Sequence, residues 1–150
     1  METQFRNIAL VGRQTDARVA GPMLTLANYL TKAGINVVAA EDLALDLPVT
    51  RVAEEALCET ADLAIAIGGD GTMLYASRLA RKSGTPILGV NRGRLGFLAD
   101  ITPDEMLASV EQVLSGNYLK DTRLLLKARL FSANGVENIA YGLNDVVIQR

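Results

Sequence analysis

A chain of 150 residues that is 49% apolar and 21% charged can fill a core of its own, which excludes wholesale disorder. A formal net charge of −2 argues against a general nucleic-acid or membrane-surface binder, and no apolar run approaches the roughly 20 residues that cross a bilayer. With no histidine and only Cys58, Ser-His-Asp and Cys-His machinery, His or thiolate zinc sites and a disulfide framework are all excluded, so acid–base work falls to carboxylate, lysine or tyrosine.

Asn7 to Gly12 reads as a buried strand ending at a glycine. Pro22 suits the first turn of a helix, where its missing N–H costs nothing; Met23, Leu26, Ala27, Leu30 and Ala33 follow at helical spacing and Gly34 stops it. Ile35 to Ala40 is a second strand. Beyond Pro48 a brief helix is expected over Val52 to Glu59, with Thr50 near its start and Cys58 as a small buried residue on it. Ala61 to Ile67 is a third strand, and Gly68-Gly69-Asp70-Gly71-Thr72 leaves its carboxyl end. Thr72 is expected to open a helix that stops near Gly84, and Pro86 to Val90 makes a fourth strand. Thr102-Pro103-Asp104-Glu105 has the form of a capping box with proline at the first helical position, ahead of an apolar face of Met106, Leu107, Val110, Val113 and Leu114. After Gly116 the pattern changes to two strand-like runs, 122–131 and 136–148, joined by the turn pair Asn134-Gly135.

This order predicts an α/β fold: a doubly wound, mostly parallel sheet over residues 1–118, then a β-hairpin opening a β-rich unit over 119–150. A lone hairpin is marginal in water, so it is expected to need the rest of its domain, another protomer or the face of the first domain.

Three glycines around one carboxylate make a poor structural element. Glycine permits φ > 0 and lets ligand atoms reach backbone N–H groups, and a helix N-terminus favours anions. On these residues alone two readings stay open, a phosphate or sugar cradle and a tight strand-to-helix turn with a solvated aspartate. Ligands of parallel sheets bind outside the carboxyl ends of the strands, the edge shared by loops 68–72 and 91–96 and by Gly12-Arg13.

Three stretches carry a family resemblance. Gly68 to Leu74 (GGDGTML), Leu88 to Leu98 (LGVNRGRLGFL) and Leu143 to Val147 (LNDVV) are similar, in this order, to the motifs of the NAD kinase family, ATP-dependent enzymes that phosphorylate NAD on the adenosine ribose. GGDGT by itself is shared with diacylglycerol and sphingosine kinase relatives. The resemblance implies an NAD kinase-like N-terminal domain over 1–118 with the GGDGT loop and a truncated β-rich NAD-binding domain from 119, about the first half of such a kinase. It implies transfer of the ATP γ-phosphoryl group to the 2′-hydroxyl of the adenosine ribose of NAD, giving NADP, with Mg²⁺ recruited chiefly by the ATP phosphates.

Site residues follow from the same resemblance. Asp70 matches the aspartate that contacts the attacking hydroxyl and accepts its proton. Gly68, Gly69 and Gly71 would let the backbone close around nucleotide and phosphate, and Thr72 would cap the helix or orient the loop. Leu74 and Phe97 match positions that wall the nucleotide pocket; read bottom-up, Phe97 is equally an ordinary core aromatic. Asn144 and Asp145 match the Asn-acidic pair that binds NAD, and asparagine offers donor and acceptor together, which suits a base edge or ribose. Arg92 and Arg94 are either phosphate contacts or solvated loop arginines. Expected partners are small-molecule nucleotides, without nucleic acid or membrane, and either a homo-oligomeric copy or a C-terminal half. The start of the chain has no secretory signal pattern, and a cytoplasmic location is expected. Two alternatives remain: a lipid or other small-molecule kinase with the same loop, and a non-catalytic nucleotide-binding or assembly module.

Overall fold

A computed structural model describes residues 3–13, 17–92, 98–99, 101–143 and 145–147. The chain divides into two compact units, Met1–Tyr118 and Leu119–Arg150. The first contains β1 (Asn7–Val11), α1 (Ala17–Lys32), β2 (Asn36–Ala40), β3 (Thr50–Val52), β4 (Leu63–Gly68), α2 (Asp70–Ala80), β5 (Ile87–Asn91) and α3 (Met106–Leu114). The strands form one sheet in the order β3-β2-β1-β4-β5, every pairing parallel.

Side-chain size decides how each face is covered. Along β1 and β4 the large residues Ile8, Leu10, Ile65 and Ile67 point one way, into a core with Val19, Met23, Leu26 and Leu30 of α1 and with Met106, Val110 and Leu114 of α3. The alternate residues are Ala9, Val11, Ala64 and Ala66, and they meet Ala76 and Ala80 of α2. Small residues on both surfaces let α2 lie close to the sheet. Each large side chain taken fully out of water contributes about 1.5–3 kcal/mol, so the central strands β2, β1 and β4 with their helices are the stable frame on which the loops sit. The doubly wound, parallel architecture matches the expectation from sequence.

Three local expectations are corrected. First, α1 begins at Ala17 and Pro22 lies inside it, because fully buried Val19 sits one turn before Met23 and extends the apolar stripe. The proline forfeits a single bond to the Arg18 carbonyl, which the packing of that stripe outweighs. Second, residues 50–52 form strand β3, pairing Val38 with Thr50 and Ala40 with Val52, and a single 3₁₀ turn at Glu54–Ala56 replaces the expected helix. Cys58 follows in a turn; it is buried, and burial pushes its thiol up. Third, α2 opens at Asp70 with Gly69 as its N-cap, so Thr72 is a buried third residue rather than the opening one. The capping box is present as expected: the Thr102 N–H donates to Glu105 Oε2 at 3.4 Å, ahead of a 3₁₀ turn leading into α3.

At the amino edge, Asp62 Oδ2 accepts the Arg6 and Asn7 backbone N–H groups at 2.9 Å each and Asn7 Nδ2 at 3.3 Å, tying the starts of β1 and β4 together. Desolvation pushes this carboxyl up, but the backbone bonds from Asn7 and Arg6, the Asn7 amide and the Arg6 charge outweigh it and hold the group below its ordinary 3.8. A carboxyl with a depressed folded pKa adds stability that is present above 3.8 and is lost as pH falls through the folded value. Asp62→Asn is therefore expected to be less stable than wild type near neutrality, with the gap closing in acid. Urea midpoints of the two proteins at descending pH check this; a gap that does not change with pH would reject it.

The second unit is the antiparallel pair β6 (Leu125–Phe131) and β7 (Glu137–Leu143), in register from Leu125 with Leu143 to Phe131 with Glu137. Both strands are shorter than the runs 122–131 and 136–148. The turn also differs from the expected two-residue pair. The Gly135 N–H donates to the Ser132 carbonyl and the Ser132 N–H to the Val136 carbonyl, both at 2.9 Å, with Gly135 at φ 82°. That is a three-residue loop in which glycine takes the left-handed position.

Candidate active site

The strand order brings the carboxyl ends of β1 and β4 side by side. The chain leaves β1 for α1 on one face and β4 for α2 on the other, which opens a crevice at that point in a doubly wound sheet. Gly12-Arg13 and Gly68-Gly69-Asp70 are its two lips.

The glycines of the β4 loop work by lacking a Cβ, and not by torsion. Left-handed φ occurs at Gly34, Gly84, Gly116 and Gly135, outside this loop, and Gly69 is at φ −108°. A Cβ on Gly68 would stand 2.2 Å from Thr72 Oγ1 and 2.7 Å from Thr72 Cβ, so only glycine allows the first turn of α2 to fold back on the strand end. Gly69 faces the Arg92 guanidinium, and a Cβ there would lie 3.8 Å from Cζ, an ordinary contact. At Gly71 a Cβ would meet nothing within 4 Å, so its surface is open to a ligand.

Asp70 is half-buried at the first position of α2 and accepts the Leu98 N–H at 3.1 Å. The segment that supplies this donor is itself held. Asn91, buried at the end of β5, donates its backbone N–H to Ile101 at 2.7 Å and its Nδ2 to the Ala99 carbonyl at 3.3 Å. Gly89 lets Met73 and Ala99 close in, since a Cβ would stand 2.6 Å from Met73 Sδ and 2.9 Å from Ala99 Cβ. The Arg92 N–H donates to the Gly68 carbonyl at 3.0 Å, joining the two loops directly. Asn91 was missed as a site residue by the sequence reading; the signal was a polar side chain closing an apolar strand beside the glycine loop.

Leu74 is exposed one turn beyond Asp70, so both lie on one face of α2. Phe97, Arg94 and Asn144 lie outside the described residues. Asp145 is exposed in the second unit, its N–H donating to the Leu143 carbonyl at 2.9 Å, and Gly142 admits that turn because a Cβ would stand 2.3 Å from the Asp145 carbonyl oxygen. Also on α2, the Tyr75 hydroxyl donates to Glu54 Oε1. Burial first, then the Glu54 bond and charge, push that phenol well above its ordinary range.

A carboxylate presented at the tip of a glycine turn, beside a crevice, can take a proton from a hydroxyl and orient its oxygen for attack. Among the described residues no group of three or more His, Cys, Asp or Glu side chains could hold a metal ion. No helix among them is long and apolar enough to cross a membrane.

Comparison with known proteins follows the same lines. A family model described as the ATP-NAD kinase N-terminal domain matches residues 8–118. An NAD kinase from Hahella chejuensis (strain KCTC 2396) is 45% identical over 150 residues, covering 97% of this chain and 50% of that protein. An NAD kinase from Paraburkholderia phytofirmans (strain DSM 17436 / LMG 22146 / PsJN) is 41% identical over 153 residues, covering 99% of this chain and 50% of that protein. The chain thus spans about half the length of the curated relatives it matches. In fold, it is similar to the crystal structure of yeast NADH kinase complexed with NADH, with a TM-score of 0.76 at 19% identity over 94% of this chain and 47% of that one.

Proposed function

The chain belongs to the ATP-NAD kinase family, and from that premise we propose that it carries the phosphoryl-transfer half of a kinase acting on NAD. The reaction moves the γ-phosphoryl group of ATP to the 2′-hydroxyl of the adenosine ribose. The bond from the 2′-oxygen to γ-phosphorus forms as the β,γ-bridging bond breaks, the hydroxyl proton passes to Asp70, and ADP and NADP leave. One observation carries the reading: Asp70 stands half-buried at the first position of α2, at the sheet's crevice, with its carboxylate steadied by the Leu98 N–H.

In this reading Gly68 and Gly69 bring backbone up to the transferred group, Gly71 leaves room beside it, Thr72 braces the turn from within, and Leu74 walls the nucleotide pocket. Phe97, Asn144 and Asp145 complete the nucleotide contacts. Mg²⁺ is assigned to the ATP phosphates, hard oxygen ligands that suit it. The working enzyme includes a C-terminal half or a second protomer, and its location is cytoplasmic.

The test offers the chain, supplemented with a C-terminal portion from a relative, ATP and Mg²⁺ with NAD, diacylglycerol or sphingosine as acceptor. NADP is the expected product. Phosphorylation of a lipid without NADP, or nucleotide binding with no transfer to any acceptor, would reject the assignment.

A further inference from the structure

β5 ends in a side chain that its own strand does not require. Ile87, Leu88, Gly89 and Val90 precede Asn91, which is 2% exposed and pairs with Gly68 across the sheet, at the root of the glycine loop. Taking an amide out of water costs free energy unless it is hydrogen-bonded, and a leucine of nearly the same size would carry no such cost. The amide is used on the segment that returns along β5. Asn91 Nδ2 donates to the Ala99 carbonyl at 3.3 Å, and Ala99 is buried against Gly89. The Asn91 backbone N–H donates to the Ile101 carbonyl at 2.7 Å, and Val90 bridges Ile101 in parallel. Leu98, one residue before Ala99, then donates its N–H to Asp70 Oδ1 at 3.1 Å.

We propose that Asn91 is a positioning residue for the phosphoryl transfer: through the Ala99 carbonyl it holds the Leu98 N–H on Asp70, and so sets the direction in which that carboxylate meets the ribose hydroxyl; the inference rests on the kinase reading above. The bond to Ile101 cannot do this alone. Leu98 lies three residues before Ile101, a length of chain that spans about 10 Å, so a donor tied only there could leave the carboxylate. With Ala99 tied as well, the donor belongs to the residue next to a fixed one. A carboxylate held through one oxygen keeps its orientation, and proton transfer from a hydroxyl needs the acceptor aligned at roughly 2.6–3.2 Å. A misplacement of about 1 Å at such a group costs on the order of 100-fold in rate. Asn91 offers a substrate almost no surface, so it acts through Leu98 and not by contact. The Arg92 N–H bond to the Gly68 carbonyl, at 3.0 Å, is made by backbone alone and keeps the two loops joined when the Asn91 side chain is changed. Substrate affinity should therefore depend on Asn91 much less than turnover does.

The test is Asn91→Leu in the supplemented enzyme, with Asn91→Ser, whose shorter hydroxyl stops short of the Ala99 carbonyl, as a second variant if the first does not fold. The kcat for NADP formation is expected to fall about 10- to 100-fold, with KM for NAD and for ATP within about threefold. In an Asp70→Asn background the same substitution is expected to cost less than about threefold, because the group it orients is already gone. A second readout needs no turnover. In the 150-residue chain alone, either variant is expected to speed hydrogen exchange of the Leu98 amide about tenfold or more while that of Ile65 in β4 changes little. An unchanged kcat, a loss carried by KM, full additivity with Asp70→Asn, or exchange that quickens equally at Leu98 and Ile65 would each overturn the assignment, the last by showing a purely structural role. Failure of the kinase reading is distinguishable, because the supplemented wild-type enzyme then forms no NADP while exchange at Leu98 still reports the tie.

Discussion

Asp70→Asn, introduced into the chain and assayed with its complementing C-terminal half, is expected to cut turnover by about 10²–10⁴ while NAD affinity stays within several-fold. The amide keeps the size of the carboxylate, and its oxygen can still accept the Leu98 N–H, so the turn and the segment held by Asn91 should stay in place. What is lost is a group able to take the hydroxyl proton at neutral pH. An effect on kcat with little on KM for NAD follows from an interaction needed in the transition state more than in the ground state. Near-normal turnover in a folded variant would remove Asp70 as the base and leave it a positioning role. An equal loss of NAD affinity and turnover would point to collapse of the loop.

Much of the frame was legible because buried parallel strands announce themselves locally. Leu63 to Ile67 is apolar at every position, as a strand covered on both faces must be, and the glycines behind it mark where it ends. The Thr102–Glu105 capping box is likewise a matter of four consecutive residues. What escaped depends on distant partners. β3 is three residues that become a strand only because β2 lies beside them, with Arg51 reaching back to three carbonyls. Pro22 inside α1 is tolerated because Val19 finds a place in a core that no local window contains. Within the site, three glycines that look alike in sequence differ in space: Gly68 is required by Thr72, Gly69 merely touches Arg92, and Gly71 faces nothing. The roles of Asn91 and Tyr75 depend on a strand order and a helix crossing that spacing along the chain does not encode.

The 150-residue chain by itself is expected to form little or no NADP, to sediment above its monomer mass of 16.0 kDa, and to regain activity when the family's C-terminal portion is supplied in trans. Phosphoryl transfer depends mainly on holding two substrates in line, a contribution worth roughly 7–11 kcal/mol, and the chain spans only about half the length of the relatives it matches. The hairpin argues in the same direction. Leu124, Leu130 and Phe131 are exposed, as are Val146 and Val147, while Leu126 is only half-buried and Ile148 lies outside the described residues. Two strands with that much apolar surface and unpaired edges are poorly stable in water and recruit another chain. Docking the C-terminal portion would satisfy the hairpin and complete the substrate walls in one step, so solubility and turnover should rise together with added partner. Sedimentation as a stable monomer, combined with NADP formation that added partner does not increase, would show instead that the first unit and the hairpin already hold a complete kinase site.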